Sequence, residues 1–436
     1  MPIIHHPEMQ RFCVSHYTPE LVDELLGFLE TQGTFRFPTL PNGLFSAALA
    51  EGGDVDYTGY HHIWVRDNIH IAHAHLVIGR PAVAVTTART LLDWFGRQQP
   101  RFAAVIADSI EAHEPMRRPH IRFQGSTLSD STEKWSHAQN DALGYFLWLY
   151  CKLIRAGEIQ WDAKAAEVLP LFPLFWLAVQ FWEDEDSGHW EETRKIEASS
   201  IGIAVAALIE FREVLLQLRA DAIEVPGGKN LLGVIDGLLE KGRGALKTIL
   251  PSECIQADPT KRRRYDSALL FLIYPTAIVG GEMADQIIAD VTGHLMGEYG
   301  IRRYLGDSYW CADYKTALAP EVRTSDFSDD LSGRDKLLKP GLEAQWCIFD
   351  PIISIHHGLK YQQTGDVQQL ERQVFHLHRS LGQLTGPDTP FGQYRCPESY
   401  YSENGKYGPN DVTPLLWTQA NLRLALEFMK RSAMRS

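Results

Sequence analysis

Apolar residues recur at three- and four-residue spacing along most of the chain, the period of a helix that buries one face. The pattern predicts helices over Leu21–Leu29, Ile69–Ile78, Ala82–Phe95, Asp141–Ile154, Leu171–Phe181 and Ser199–Leu218. It continues over Leu231–Ile249, Ser267–Ile273, Ala284–Met296, Leu342–Tyr361, Val367–Leu384 and Thr413–Met429. Two segments, Ala142–Ile154 and Ile201–Leu216, are apolar almost all round. Helices of that kind are covered on every side, as in the inner ring of a double-layered helical barrel. Strand periodicity is sparse, no Gly-rich phosphate loop follows a strand, and no internal repeat occurs. No linker separates two cores, so the expectation is one all-α domain over residues 1–436.

Three long irregular stretches interrupt the helices: His113–Glu133, Trp310–Pro340 and Gly386–Pro409. Loops of this length in a helical protein are usually functional or disordered. These are rich in aromatic and charged residues, which favours function.

Composition narrows the ligand class. A hydrophobic content of 44% and a charged content of 22% are those of a soluble globular protein. The formal charge of −13 argues against nucleic acid, because phosphate neutralisation needs a basic face. The one tight basic run, Lys261-Arg262-Arg263-Arg264, reads as a solvated loop. Met1–Arg11 has no basic region followed by an apolar stretch, so no signal peptide is expected. The longest apolar run, Leu169–Trp182, is short and broken by Pro170 and Pro173, so no membrane span is expected. Six cysteines without a CxxC pair suggest reduced thiols in a cytoplasm. His70, His73 and His75 look metal-like, but only the first two share a helix face and no carboxylate completes a zinc helix. Neither a metal nor a cofactor is expected.

The candidate chemistry lies in carboxylates beside aromatic rings. Trp182-Glu183 follows an apolar helix, whose C-terminal partial charge disfavours ionisation. Asp184, Glu185 and Asp186 crowd the same carboxyl. Glu183 therefore reads as a general acid or as part of an ordinary acidic turn. Glu398, in a loop rich in Pro, Tyr and Cys, reads as an ionised base or as a surface glutamate. Two such acids brought together are the minimal equipment for cutting a glycosidic bond. Trp64-Val65-Arg66-Asp67 offers donors and an acceptor just before a helix, where Asp67 also suits a cap. Trp135 to Ala142, with Gln139 and Asp141, and Arg302-Arg303-Tyr304 are further clusters of aromatic and polar residues.

In this order the clusters resemble glycoside hydrolase family 15, which includes glucoamylases, glucodextranases and the N-terminal domains of phosphorylase kinase α and β subunits. Trp64-x-Arg66-Asp67 resembles the motif that grips the terminal glucose, and Trp182-Glu183 the Trp-Glu general-acid motif. Trp135–Ala142 and Glu197–Gly202 are similar to segments of the kinase subunits, and Tyr265–Leu270 to one of the bacterial hydrolases. Arg303-Tyr304, Pro397-Glu398 and Pro414–Ala420 fall where the family keeps a substrate-binding pair, the base and the last inner helix. The resemblance spans about residues 35–430. It implies an (α/α)6 barrel, a six-hairpin toroid, that releases glucose from non-reducing ends of α-glucans or α-glucosides with inversion. It implies Glu183 as acid and Glu398 as base. Arg66, Asp67 and Arg303 would fix the sugar and Trp135, Trp182 and Tyr304 would stack on it. Trp64, Gln139, Asp141 and Trp417 complete the implied substrate contacts. The alternative on the same barrel is a catalytically silent glucan-binding or regulatory protein.

Overall fold

The computed structural model describes residues 2–48, 62–219, 224–225, 229–323, 326 and 328–435. Among them the longer helices are α1 (Pro19–Thr31), α2 (Val65–Val77), α3 (Pro81–Arg97), α4 (Gln99–Ala107), α5 (Asn140–Arg155) and α6 (Leu171–Val179). They continue with α7 (Ala198–Gln217), α8 (Leu231–Ile249), α9 (Gly281–His294), α10 (Phe349–Thr364), α11 (Val367–Gly382) and α12 (Leu416–Ala433).

Burial separates the helices into two layers. Nearly every residue of α5 and of the first half of α7 is buried, as their apolar sequences predict. The helix α11 instead alternates buried and exposed positions. Neighbour relations close the inner layer into a ring: α2 packs on α5, α5 on α7, and α7 on the 3-10 helix Ser267–Leu272. That helix meets α10, α10 meets α12, and α12 returns to α2. The helices α3, α8, α9, α11 and α1 back this ring from outside, with α4 and α6 packed together in the same layer. The protein is thus an (α/α)6 barrel. Two glycines permit its tightest contacts. A Cβ on Gly144 of α5 would lie 2.9 Å from Ile203 of α7, and one on Gly202 would lie 2.2 Å from Leu272.

Five of the six inner helices begin without help from their own N-cap side chains; the sixth, Ser267–Leu272, is capped by Asp266. None of α2, α5, α7, α10 and α12 has a side-chain cap hydrogen bond, whereas Thr18, Asn230 and Asp366 cap the outer α1, α8 and α11. Free N–H groups at a helix start need other partners. Neighbouring elements supply them here. The Asn140 N–H donates to Asp186 Oδ2 (2.7 Å), the Asp141 N–H to Ser200 Oγ (3.1 Å), and the Ala198 N–H to the Glu253 carbonyl (2.9 Å). These bonds tie successive hairpins together at one end of the barrel.

Two small antiparallel sheets cover that end. One joins β1 (Ile63–Trp64), β2 (Arg122–Gln124) and β3 (Ser129–Asp130), with Trp64 opposite Arg122. The other joins β4 (Gln345–Trp346), β5 (Ser399–Glu403) and β6 (Lys406–Pro409), with Trp346 opposite Ser399. No helix among the described residues is long and apolar enough to cross a membrane.

Candidate active site

The residues that line an aromatic-walled concavity at this end lie at or before the N-termini of inner helices. They enclose about 840 Å³, open mouth included. Six aromatic rings form its walls: Trp64, Trp135, Trp190, Tyr309, Trp346 and Trp417. Four arginines, 66, 122, 303 and 334, and four carboxylates, Asp67, Glu191, Asp326 and Glu398, stand between them. Apolar ring faces with charged hydrogen-bonding groups among them suit a sugar, which has C–H faces and hydroxyl edges.

Glu191 reaches the pocket on the crossover from α6 to α7. Asp186 and Lys195 close that crossover into a loop through mutual backbone hydrogen bonds of 2.9 and 2.8 Å, and the Ser187 N–H donates to the Ala138 carbonyl at 2.6 Å. Inside the loop Gly188–Trp190 make one 3-10 turn. Gly188 sits at φ +50°, and a Cβ there would fall 1.5 Å from Glu197 Oε2, so only glycine fits. Trp190 is fixed by its Nε1, which donates to Asp266 Oδ1 at 2.9 Å. Glu191 itself is left-handed, at φ +59° and ψ +43°. A non-glycine residue held there costs on the order of 1–3 kcal/mol, and such strain concentrates at functional sites.

The Glu191 carboxylate is asymmetrically bound. Its Oε1 accepts from Trp64 Nε1 (3.0 Å), an Arg66 guanidinium nitrogen (3.1 Å) and Gln139 Nε2 (3.4 Å). Its Oε2 has no hydrogen-bond donor among the described residues. Burial in the cleft wall raises this carboxyl above the ordinary glutamate range; Arg66 and Arg122 oppose the rise and Asp326 adds to it. The side chain keeps 19% of its surface exposed. Arg66 is anchored from behind by Asp141 and Gln139, each at 2.9 Å. The neighbouring Asp67 is pushed up to about 7, chiefly by burial, with Arg66 opposing and Glu191 adding.

Glu398 enters from the other side, immediately before β5. Its backbone is locked between Val412 and Cys347 (3.0 and 2.9 Å), and its Oε2 accepts from Asn410 Nδ2 at 2.6 Å. It is 2% exposed, so it is a buried pocket residue, not a surface loop glutamate.

Behind the pocket lies a further carboxylate. Burial would raise Glu192, but Arg263, Lys195, Arg303 and Arg334 surround it and hold it well below the usual range. Tyr304 also donates its hydroxyl to it. Arg303 is clamped by both oxygens of Asp307 (2.6 and 2.7 Å) and lies over the rings of Trp346, Tyr309 and Trp190 at 4.9–5.1 Å.

The profile of glycosyl hydrolases family 15 matches residues 35–335, well over half the chain. The chain belongs to that family. A probable phosphorylase b kinase regulatory subunit alpha of Caenorhabditis elegans is 26% identical over 406 residues, covering 84% of this chain and 30% of the subunit. The uncharacterized lipoprotein YgeQ of Escherichia coli is 30% identical over 175 residues, 36% of this chain and 65% of the lipoprotein. The chain thus spans less than two thirds of each of these relatives. Among solved structures, a glycosidase point variant superposes with a TM-score of 0.64 at 14% identity, covering 97% of this chain and 98% of its own. A glucoamylase from Saccharomycopsis fibuligera gives 0.59 at 11% identity over 94% and 96%. A bacterial glucoamylase solved with acarbose gives 0.57 at 13% identity over 90% and 53%. At such identities the likeness is one of fold.

Within this family 15 barrel the residues singled out from sequence separate into three groups. Trp64, Arg66, Asp67, Trp135, Arg303, Trp417 and Glu398 line the pocket. Gln139 and Asp141 stand behind it as supports of Arg66, and Tyr304 is buried behind it on Glu192 with Arg263 over its ring at 3.4 Å. Tyr304 is therefore a support and not a stacking wall.

Trp182 and Glu183 are elsewhere. Glu183 is exposed on the turn after α6, and Trp182 lies on a separate apolar surface near Lys241. The outer helix α6 ends at Gln180, before the chain has reached the barrel rim. The acids that follow each have partners of their own. Asp184 pairs bidentately with Arg118 (2.6 and 2.7 Å), Glu185 with Lys261 (2.6 Å), and Asp186 accepts from α5 and α7. The acid that does face the pocket belongs to the second Trp-Glu pair, Trp190-Glu191, preceded by Gly188. His70, His73 and His75 are buried in aromatic packing, with His70 stacked on Trp417 at 4.4 Å.

Proposed function

We propose that this family 15 barrel hydrolyses an α-linked glucan or α-glucoside from its non-reducing end, with Glu191 as general acid and Glu398 as general base. The observation that carries the reading is that these two glutamates, distant in sequence, line one aromatic-walled pocket. A general acid must hold its proton near neutral pH, and burial moves Glu191 in that direction. Its donor-bound Oε1 leaves Oε2 to carry the proton to the glycosidic oxygen. Glu398 would orient and deprotonate a water on the other face of the sugar, which inverts the anomeric centre. Arg66, Asp67 and Arg303 fix hydroxyls, while Trp135 and Trp417 supply apolar faces. Related barrels solved with glucose and with acarbose support a glucose-type ligand. We read the whole chain as one such unit, working in a reducing compartment that suits its six unpaired cysteines.

The second reading, a catalytically silent glucan-binding protein, draws on the similarity to a kinase regulatory subunit. Incubation with maltooligosaccharides, isomaltose, trehalose and glycogen, with the product anomer followed by NMR, separates the two. Release of β-glucose supports the hydrolase. Saturable binding without any product supports the silent barrel.

A further inference from the structure

The run Lys261–Arg264 does not behave as a solvated loop. It forms one edge of a short hairpin, Cys254–Ile255 with Arg262–Arg263, and three of its arginines line a second cleft of about 990 Å³, open to solvent. Lys195 lines the same cleft, and the one carboxylate among its lining residues is Asp335.

The lining of this cleft carries four cations, Lys195, Arg262, Arg263 and Arg264, against one carboxylate, and the counter-charges of Lys195, Arg263 and Arg264 lie outside the lining. Glu192 alone serves four: Arg263 (2.9 Å), Arg334 (3.3 Å), Lys195 (3.7 Å) and Arg303 (3.8 Å). Arg263 also reaches Asp266 at 3.0 Å, and Arg264 reaches Asp290 at 2.7 Å. Arg262 is exposed and donates only to the Gln256 carbonyl, with no carboxylate partner among the described residues. In a chain of formal charge −13 a cleft lined by four cations and one carboxylate is a specific feature. Its other groups are the hydroxyl-bearing Thr193 and Thr260, the rings of Tyr265 and Tyr304, and the apolar Leu305 and Leu331.

We propose that this cleft binds a phosphate monoester, with Arg262, Arg264 and Lys195 holding the phosphate. Guanidinium forks match phosphate oxygens in geometry and charge, and threonine hydroxyls suit the remaining acceptors. Leu305, exposed at the rim, and Leu331 give an apolar surface on which a sugar carrying the phosphate rests. The site is distinct from the pocket but shares its wall. Glu192 Oε1 faces the pocket arginine Arg334, while Oε2 faces the cleft residues Arg263 and Lys195. An anion in the cleft competes for Arg263 and Lys195 and so acts on the residue next to Glu191. The binding itself does not depend on hydrolysis.

Calorimetric titration of the whole chain with inorganic phosphate, glucose 6-phosphate and glucose tests the site. Saturable binding of a phosphate-bearing probe, weakened about tenfold or more by Arg262→Ala, is the expected result, since a charge-assisted hydrogen bond is lost. Arg262 is exposed, so the substitution leaves folding intact, and Arg89→Ala on another surface should leave binding unchanged. Equal affinity for phosphate and glucose 6-phosphate marks a phosphate site; tighter glucose 6-phosphate marks a sugar phosphate site. The proposal is overturned if neither phosphate probe saturates by about 10 mM. It is also overturned if both Arg262→Ala and Arg264→Ala bind as the parent does.

Discussion

The indole N–H of Trp64 donates to Glu191 Oε1 at 3.0 Å, joining the start of α2 to the crossover before α7. Arg66, two residues on in the first turn of α2, reaches the same oxygen. One carboxylate oxygen is thus held by donors, and the other has none among the described residues. Under the proposed hydrolysis, that asymmetry separates the oxygen that carries the proton from the one held by the sugar grip.

Substituting Glu191→Gln keeps an acceptor for Trp64 and Arg66 but removes the transferable proton. Turnover should fall by about 10²–10⁴-fold with ligand binding largely kept. Glu183→Gln should change neither, because that side chain is exposed and away from the pocket. Initial rates and a binding titration on both variants check this. Equal loss in the two would sink the assignment of Glu191.

The barrel was legible because two of its inner helices, α5 and α7, are apolar almost all round and lie within a residue or two of the periodic segments. The pocket half contributed by Trp64, Arg66 and Asp67 was legible because it abuts a helix start. Glu183 lies outside the pocket and Glu191 lines it, and the sequence does not separate them: Trp182-Glu183 and Trp190-Glu191 both lie between α6 and α7, and residue type does not say which pair reaches the rim. A signal was present: Gly188 just before the second pair is required by the left-handed turn that aims Glu191. Tyr309, Asp326 and Arg334 come from the long stretch after Trp310 or its border, where no periodicity places side chains. The basic run was misread because its partners, Glu192 and Asp290, are remote in sequence.

The pH dependence of hydrolysis carries a sign. A general acid works while protonated, so its titration sets the alkaline limb of kcat/KM. Burial raises Glu191, and Arg66 and Arg122 restrain the rise. Replacing Arg122 by Gln removes one restraint, so the alkaline limb should move to higher pH. A profile of kcat/KM against pH for parent and variant reads the shift. Movement to lower pH would contradict the role of Glu191.

Gly188→Ala should act through geometry alone. The new Cβ meets Glu197 Oε2 at 1.5 Å and occupies a left-handed backbone position. The loop must shift, with a loss of roughly 1–3 kcal/mol in stability. Because Glu191 stands on this loop, kcat should fall further than a matched loss of stability explains. Thermal unfolding measured beside kcat separates the two. An active, fully stable variant would show that the turn does not position Glu191.

Asp186 gives a stability test that needs no substrate. It is buried between α5 and α7 and pushed up to about 8, chiefly by burial, with Asp141 and Asp184 adding. An unfolded aspartate titrates near 3.9. Between those values the folded chain binds a proton that the unfolded chain does not, so this residue's contribution falls as pH rises. It is fully present below about pH 4 and gone above about pH 8, with a slope of at most about 1.4 kcal/mol per pH unit. Buried histidines such as His189, lowered to about 4 mainly by burial, act with the opposite sign on the whole protein. The difference between parent and Asp186→Asn cancels them. Asn keeps an acceptor for the Asn140 N–H and Ser200 and does not titrate. The melting temperature of the variant relative to the parent should therefore climb from pH 4 to pH 8 and then level off. A constant offset across that range would mean that Asp186 is ionised in the folded barrel and that its neighbours donate more than burial takes away.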